Sequence, residues 1–93
     1  MNKYEMIYIL ESALSDEAKD QIIEKIDGVI TKNGGVVEKT EKWGIKKLAY
    51  PIDYKTDGYY VYVAFEGGSA LVSEVKRVVG ITEHVLRRLI TKR

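Results

Sequence analysis

The order of two periodicities constrains this chain most. Residues 4–10, 36–52, 59–65 and 85–91 are rich in β-branched and aromatic side chains and read as strands; residues 15–33 and 69–79 repeat apolar side chains at helical spacing. The run from Tyr4 to Leu10 is apolar on both faces, which suits a central strand. Ser15 is a good helix N-cap, and Asp16 and Glu17 place acids where the helix dipole favours them. Ala18, Ile22, Ile26, Val29 and Ile30 then recur at helical intervals until Asn33-Gly34-Gly35 ends the helix. In the second helix Ser69 is the expected cap, Leu71, Val75, Val78 and Val79 form the apolar stripe, and Gly80 is the expected stop. Ile22, Ile26, Ile30, Leu71, Val75 and Val79 are the expected core of the helical layer.

The long run from Val36 to Ile52 carries two irregularities. Trp43-Gly44 suggests a bulge, and Pro51, which has no N–H for a ladder, suggests an edge strand. Residues 54–58 are expected to turn, with Asp57-Gly58 as the hairpin signal. The order strand, helix, strand, strand, helix, strand makes two right-handed strand-helix-strand units. They interleave as an α+β, ferredoxin-like β-α-β-β-α-β fold: a four-stranded antiparallel sheet with both helices on one face. The other face stays open. Tyr8, Tyr50, Tyr54, Tyr60 and Tyr62 are placed on it or at its margins.

A chain of 93 residues makes one domain, 1–93. It has no cysteine, which excludes disulfides and thiolate chemistry and suits a reducing cytosol. No apolar signal core and no run of about twenty apolar residues is present, so no membrane association is expected. His84 is the sole histidine and lacks companions for a transition-metal site. The first-helix carboxylates read as a solvated face, and the paired glycines as a helix stop and a loop. No catalytic residue, metal, cofactor or small-molecule substrate is expected. Two ferredoxin-like alternatives also fail. Acylphosphatases bind phosphate with an arginine in the loop after the first strand, but that loop here is Glu11-Ser12-Ala13-Leu14. RNA-recognition motifs need two aromatics at fixed third-strand positions, and in Gly58-Tyr59-Tyr60-Val61-Tyr62 the second falls on Val61. Charge is uneven: residues 1–38 hold four basic and eight acidic side chains, a net of −4, and residues 39–93 hold eleven and six, a net of +5. This asymmetry suggests one face for an anionic partner.

The segment Trp43-Gly44-Ile45-Lys46-Lys47-Leu48-Ala49-Tyr50-Pro51-Ile52 carries a family resemblance. With Tyr4-Glu5 in the first strand, Asp57-Gly58-Tyr59-Tyr60 and the late Leu86-Arg87-Arg88, it resembles bacterial small-subunit ribosomal protein S-six over nearly the whole chain. Two departures stand out: Asn2-Lys3 is less basic than in many relatives, and the longer, often acidic tail of some members is missing after Arg93. The resemblance implies a non-enzymatic, cytoplasmic structural constituent of the small ribosomal subunit. It further implies a heterodimer with ribosomal protein S-eighteen that binds small-subunit (16S) ribosomal RNA in translation. Under that reading Lys3, Lys46, Lys47, Arg87, Arg88, Lys92 and Arg93 are the expected RNA-binding residues. Lys46 and Lys47 should face opposite ways, and at Arg87-Arg88 either the strand should bulge or one of the two side chains should run past the core edge to water. Composition and fold alone leave open a cytosolic ligand-binding or self-associating regulatory module.

Overall fold

Alternation along the strands and a rotated stripe on each helix produce one buried layer. The computed structural model describes residues 2–52 and 55–93, with backbone only at Ala49, Tyr50 and Ile52. The elements are β1 (Asn2–Leu10), α1 (Asp16–Lys32), β2 (Val36–Ile52), β3 (Lys55–Gly67), α2 (Ser69–Ile81) and β4 (Val85–Lys92). They form one sheet in the order β2-β3-β1-β4, with every neighbouring pair antiparallel. The expected ferredoxin-like order is therefore present, with β1 and β3 central and β2 and β4 at the edges. Pro51 lies on edge strand β2, where a missing N–H is tolerated.

Tyr4, Met6, Tyr8 and Leu10 of β1 alternate toward the helices and join Val61, Val63 and Phe65 of β3, with Ile23, Ile26, Ile30, Leu71, Val75 and Val79 above them. Two expectations need correction here. The buried line of α1 is Lys19, Ile23, Ile26 and Ile30; Ile22 sits on its shoulder, half-buried. Tyr8 is fully buried beneath the helices, because even-numbered residues of β1 face them. Tyr60 and Tyr62 take the open-face parity expected of them, whereas Tyr54 and the Tyr50 side chain lie outside the described residues.

The second helix also differs at both ends. Gly68, not Ser69, occupies its N-cap position, without a side-chain cap. The helix continues through Gly80 to Ile81 and ends where the Thr82 hydroxyl donates to Val78 O at 2.6 Å. The left-handed residue that redirects the chain is His84, with φ of 71°. By contrast α1 is capped as expected: Ser15 Oγ accepts from the Ala18 N–H at 3.1 Å, and Gly34 takes a φ of 83° past the other end.

The turn between β2 and β3 lies elsewhere than expected. Ile52 pairs with Lys55, while Asp57 and Gly58 are inside β3 opposite Lys47 and Lys46. Gly58 answers a steric need instead: a Cβ there would clash with Ile9 Cγ2. Asp57 accepts from Ser12 Oγ at 2.7 Å and ties β3 to the β1–α1 loop.

One buried polar arrangement is incomplete. Thr40 Oγ1 donates to Asp27 Oδ2 at 3.1 Å, but Asp27 Oδ1 and the Tyr8 hydroxyl lack partners. Burial raises the pKa of both groups, and the Asp27 charge raises that of Tyr8 further.

Two predictions follow from this packing. Ile26→Ala should cost about 2–5 kcal/mol through lost transfer energy and a residual cavity, and Ile22→Ala clearly less, as read from urea midpoints. Asp27→Asn keeps an acceptor for Thr40 and removes an ionisation that the fold opposes. The folded-state pKa of Asp27 is raised, so its favourable contribution exists at low pH and is lost as pH rises through that pKa. The Asn variant should therefore match or trail the parent in acid and exceed it at neutral pH, by about 0.5–1.5 kcal/mol if its amide also reaches Tyr8.

Candidate nucleic-acid interface

Strand parity decides where each candidate cation points. Lys3 of β1 and Arg87 of β4 share the open face with Ile7, Ile9, Tyr60 and Tyr62. Arg88 and Lys92, opposite Tyr8 and Tyr4, belong to the helix side. Lys46 pairs with Gly58 on the open side and Lys47 with Asp57 on the helix side, so the two lysines do face opposite ways. The seven residues do not form one patch. Lys46 and Lys47 lie on edge strand β2, and Arg87, Arg88 and Lys92 lie on the opposite edge, β4. Arg93 and Lys3 meet at one end of the sheet, where the Arg93 N–H donates to Lys3 O at 2.8 Å.

Arg88 resolves the arginine pair. Its side chain passes the core edge beside Gly80, and Nε donates to Lys76 O at 3.2 Å. The helix end thus positions a cation without burying it, and exposed Lys76 stands next to it. The sequence reading missed Lys76, since only the packing of α2 on β4 brings it there. Arg87 lines a shallow groove of about 350 Å³ with Ile7, Ile9, Tyr60 and Leu89. Leu89 is 62% exposed.

The open face has its own fixed construction. A register shift between Lys42 and Gly44, with Gly44 at φ 87°, makes the expected bulge. It leaves Lys42 on the helix side, where Nζ donates to Asp20 Oδ1 at 2.6 Å, and projects Trp43 onto the open face. The Trp43 ring stacks on Tyr62 with centroids 5.4 Å apart and an interplanar angle of 5°. Lys46 Nζ lies 4.9 Å from the Trp43 ring centroid. The Tyr62 hydroxyl donates to Glu5 Oε2 at 2.6 Å, which raises the Tyr62 pKa. At the far end of the sheet Glu11 joins His84 Nδ1 at 2.8 Å and Lys55 Nζ at 3.5 Å, and its pKa is lowered chiefly by the His84 contact.

This is a surface of cations, stacked aromatics and exposed apolar side chains on a ferredoxin-like sheet. Among the described residues no cluster of acidic or histidine side chains is arranged to hold a metal, and no helix is long and apolar enough to cross a membrane. The model of the family described as "Ribosomal protein S6" matches residues 3–92. A small ribosomal subunit protein bS6 of Clostridium novyi is 44% identical over 90 residues, covering 97% of this chain and 95% of its own. That of Fusobacterium nucleatum is 39% identical over 92 residues, covering 99% and 98%. The crystal structure of 30S ribosomal protein S6 from Thermotoga maritima superposes with a TM-score of 0.93 at 22% identity, covering 99% of this chain and 87% of that one, and so shares the fold. The chain belongs to the ribosomal protein S6 family, whose members are structural and not enzymatic.

Trp43 is the sole tryptophan and so reports on the bulge. Gly44→Ala forces a side chain into the left-handed region and should cost about 1–2 kcal/mol. The same change should shift the Trp43 emission as the ring leaves Tyr62. An unshifted spectrum would show that the stack does not depend on the bulge.

Proposed function

We propose that this protein binds small-subunit ribosomal RNA together with ribosomal protein S-eighteen, as a structural part of the cytoplasmic small subunit. The observation that carries this reading is the free edge of β4. It displays Arg87 on its open side and Arg88 and Lys92 on its helix side, and Arg93 continues past its end. From Arg87 to Arg93 this row extends about 20 Å at ordinary strand rise. Cations on both sides of an exposed edge suit a run of backbone phosphates, and arginine's planar fork suits them better than lysine's point charge. Arg88 is held in place by its bond to Lys76 O. Lys46 and Lys47, on the other edge, become a separate contact.

The protein partner is assigned to the open face. Trp43 is 40% exposed there, Leu89 is exposed beside the groove, and Glu5 and Glu41 offer negative charge to a basic protein. Sharing the RNA site with such a partner explains how a chain of net charge +1 reaches adequate affinity.

The test is binding of a small-subunit RNA fragment across a salt series, with the partner present. Parent protein should show a log-log slope of roughly −0.7 to −0.9 per phosphate contact. Arg87→Ala with Arg88→Ala should flatten that slope by about one to two contacts while Lys46→Ala with Lys47→Ala changes it less. The reverse ranking would move the RNA to the β2 edge. The urea midpoint should fall for Arg88→Lys, which loses the bond to Lys76 O.

A further inference from the structure

Edge strand β2 has a second irregularity, a register shift between Val37 and Lys39. Glu38 is the extra residue there, as Trp43 is at the first bulge. Val37 pairs with core residue Phe65, and Lys39 pairs with Ala64. The Glu38 carboxylate receives Arg93 Nη2 and lies 3.7 Å from Lys3 Nζ. Three segments therefore meet at one carboxylate: β2, the start of β1 and the residue after β4. With the Arg93 N–H bonded to Lys3 O, the arrangement closes on itself.

This ion pair differs from the others on the surface. Lys42 with Asp20 joins a strand to the helix above it, and Arg77 with Glu74 is one helical turn. Glu38 instead engages two of the cations assigned above to RNA. Its two oxygens occupy the donors that phosphate oxygens would use, since carboxylate and phosphate both match a guanidinium fork. The site remains open to exchange: the side chains of Glu38 and Arg93 are 31% and 30% exposed, and that of Lys3 is 55% exposed. Glu5 and the Tyr62 hydroxyl also lie near Arg93, so its charge is set among acidic and neutral neighbours, and Glu38 is the one that bonds it.

We propose that Glu38 is an internal surrogate for an RNA phosphate. In the free protein it holds Arg93 and Lys3 in place and halves their net charge. On assembly it yields them to a backbone phosphate that arrives in the matching position. Its effect is to suppress binding to arbitrary polyanions more than binding to the right RNA, because only a well-placed phosphate replaces both contacts. Glu38 thus acts as a positioning and selectivity residue, and the inference rests on the RNA-binding reading above.

The experiment compares parent, Glu38→Gln, Arg93→Gln and the double variant, using the small-subunit RNA fragment with partner and poly(U) without it. Glu38→Gln keeps an acceptor for Arg93 and removes the charge. It should tighten poly(U) binding about three- to tenfold at low salt and steepen the salt slope by about 0.7. It should tighten the specific RNA less, so that the ratio between the two falls. Arg93→Gln in the Glu38→Gln background should return poly(U) binding to the parent level. Equal poly(U) affinity and slope for parent and Glu38→Gln, or weaker binding by Glu38→Gln, would overturn the surrogate role. If the parent holds the RNA fragment no better than poly(U), the ribosomal RNA assignment itself fails, whatever Glu38 does to poly(U). Unchanged urea midpoints confirm that folding is not what is being read.

Discussion

Everything in this structure depends on a single apolar layer between the sheet and two helices. Alternation puts Tyr59, Val61, Val63 and Phe65 of β3 on the helix side, opposite Leu10, Tyr8, Met6 and Tyr4 of β1. The same alternation necessarily puts Gly58, Tyr60, Tyr62 and Ala64 on the other side, where no helix covers them. A chain of this length has apolar material for one such layer. The uncovered face is the unavoidable complement of the core, and its side chains are free to serve a partner.

The edge strands adapt that constraint in different ways. Strand β4 keeps a regular register along most of its length and displays cations by parity alone. Strand β2 breaks register three times, and the first two breaks each bring one residue onto the open face: Glu38 at the start and Trp43 in the middle. Bulges also discourage the flat edge-to-edge pairing that an exposed strand invites. The helix side of β2 stays attached to α1 through Thr40 to Asp27 and Lys42 to Asp20, so the breaks do not loosen the sheet.

Much of this was legible in residue order. Two helical periodicities between four strands determined the topology, Gly44 signalled its bulge, and Pro51 signalled an edge. The failures share a cause: the deciding contact is remote in sequence. Asp57-Gly58 carries a hairpin signal, yet Gly58 is small because Ile9 presses on it. Gly80 looks like a stop, yet the helix continues because Thr82 and His84 end it. Helical spacing alone could not choose between Ile22 and Ile23, since the rotation of α1 is set by the sheet beneath. At the candidate site, the opposite facings of Lys46 and Lys47 followed from strand period. The grouping of Arg93, Lys3 and Glu38 did not, because those residues meet only after all four strands are aligned.

The strand order also sets a timetable. β1 emerges in synthesis before both its neighbours, β3 and β4, and β4 follows the other five elements. Until residue 67 has been made, β1 has no complete partner and must wait unpaired. Such long-range pairing is slow to form because loop closure precedes its reward. The contact of Arg93 with Lys3 then joins β1 to the residue that follows β4, so this end of the sheet closes only after β4 has emerged. A chain stopped short of β4 therefore lacks one edge of its sheet and the closed end at Lys3.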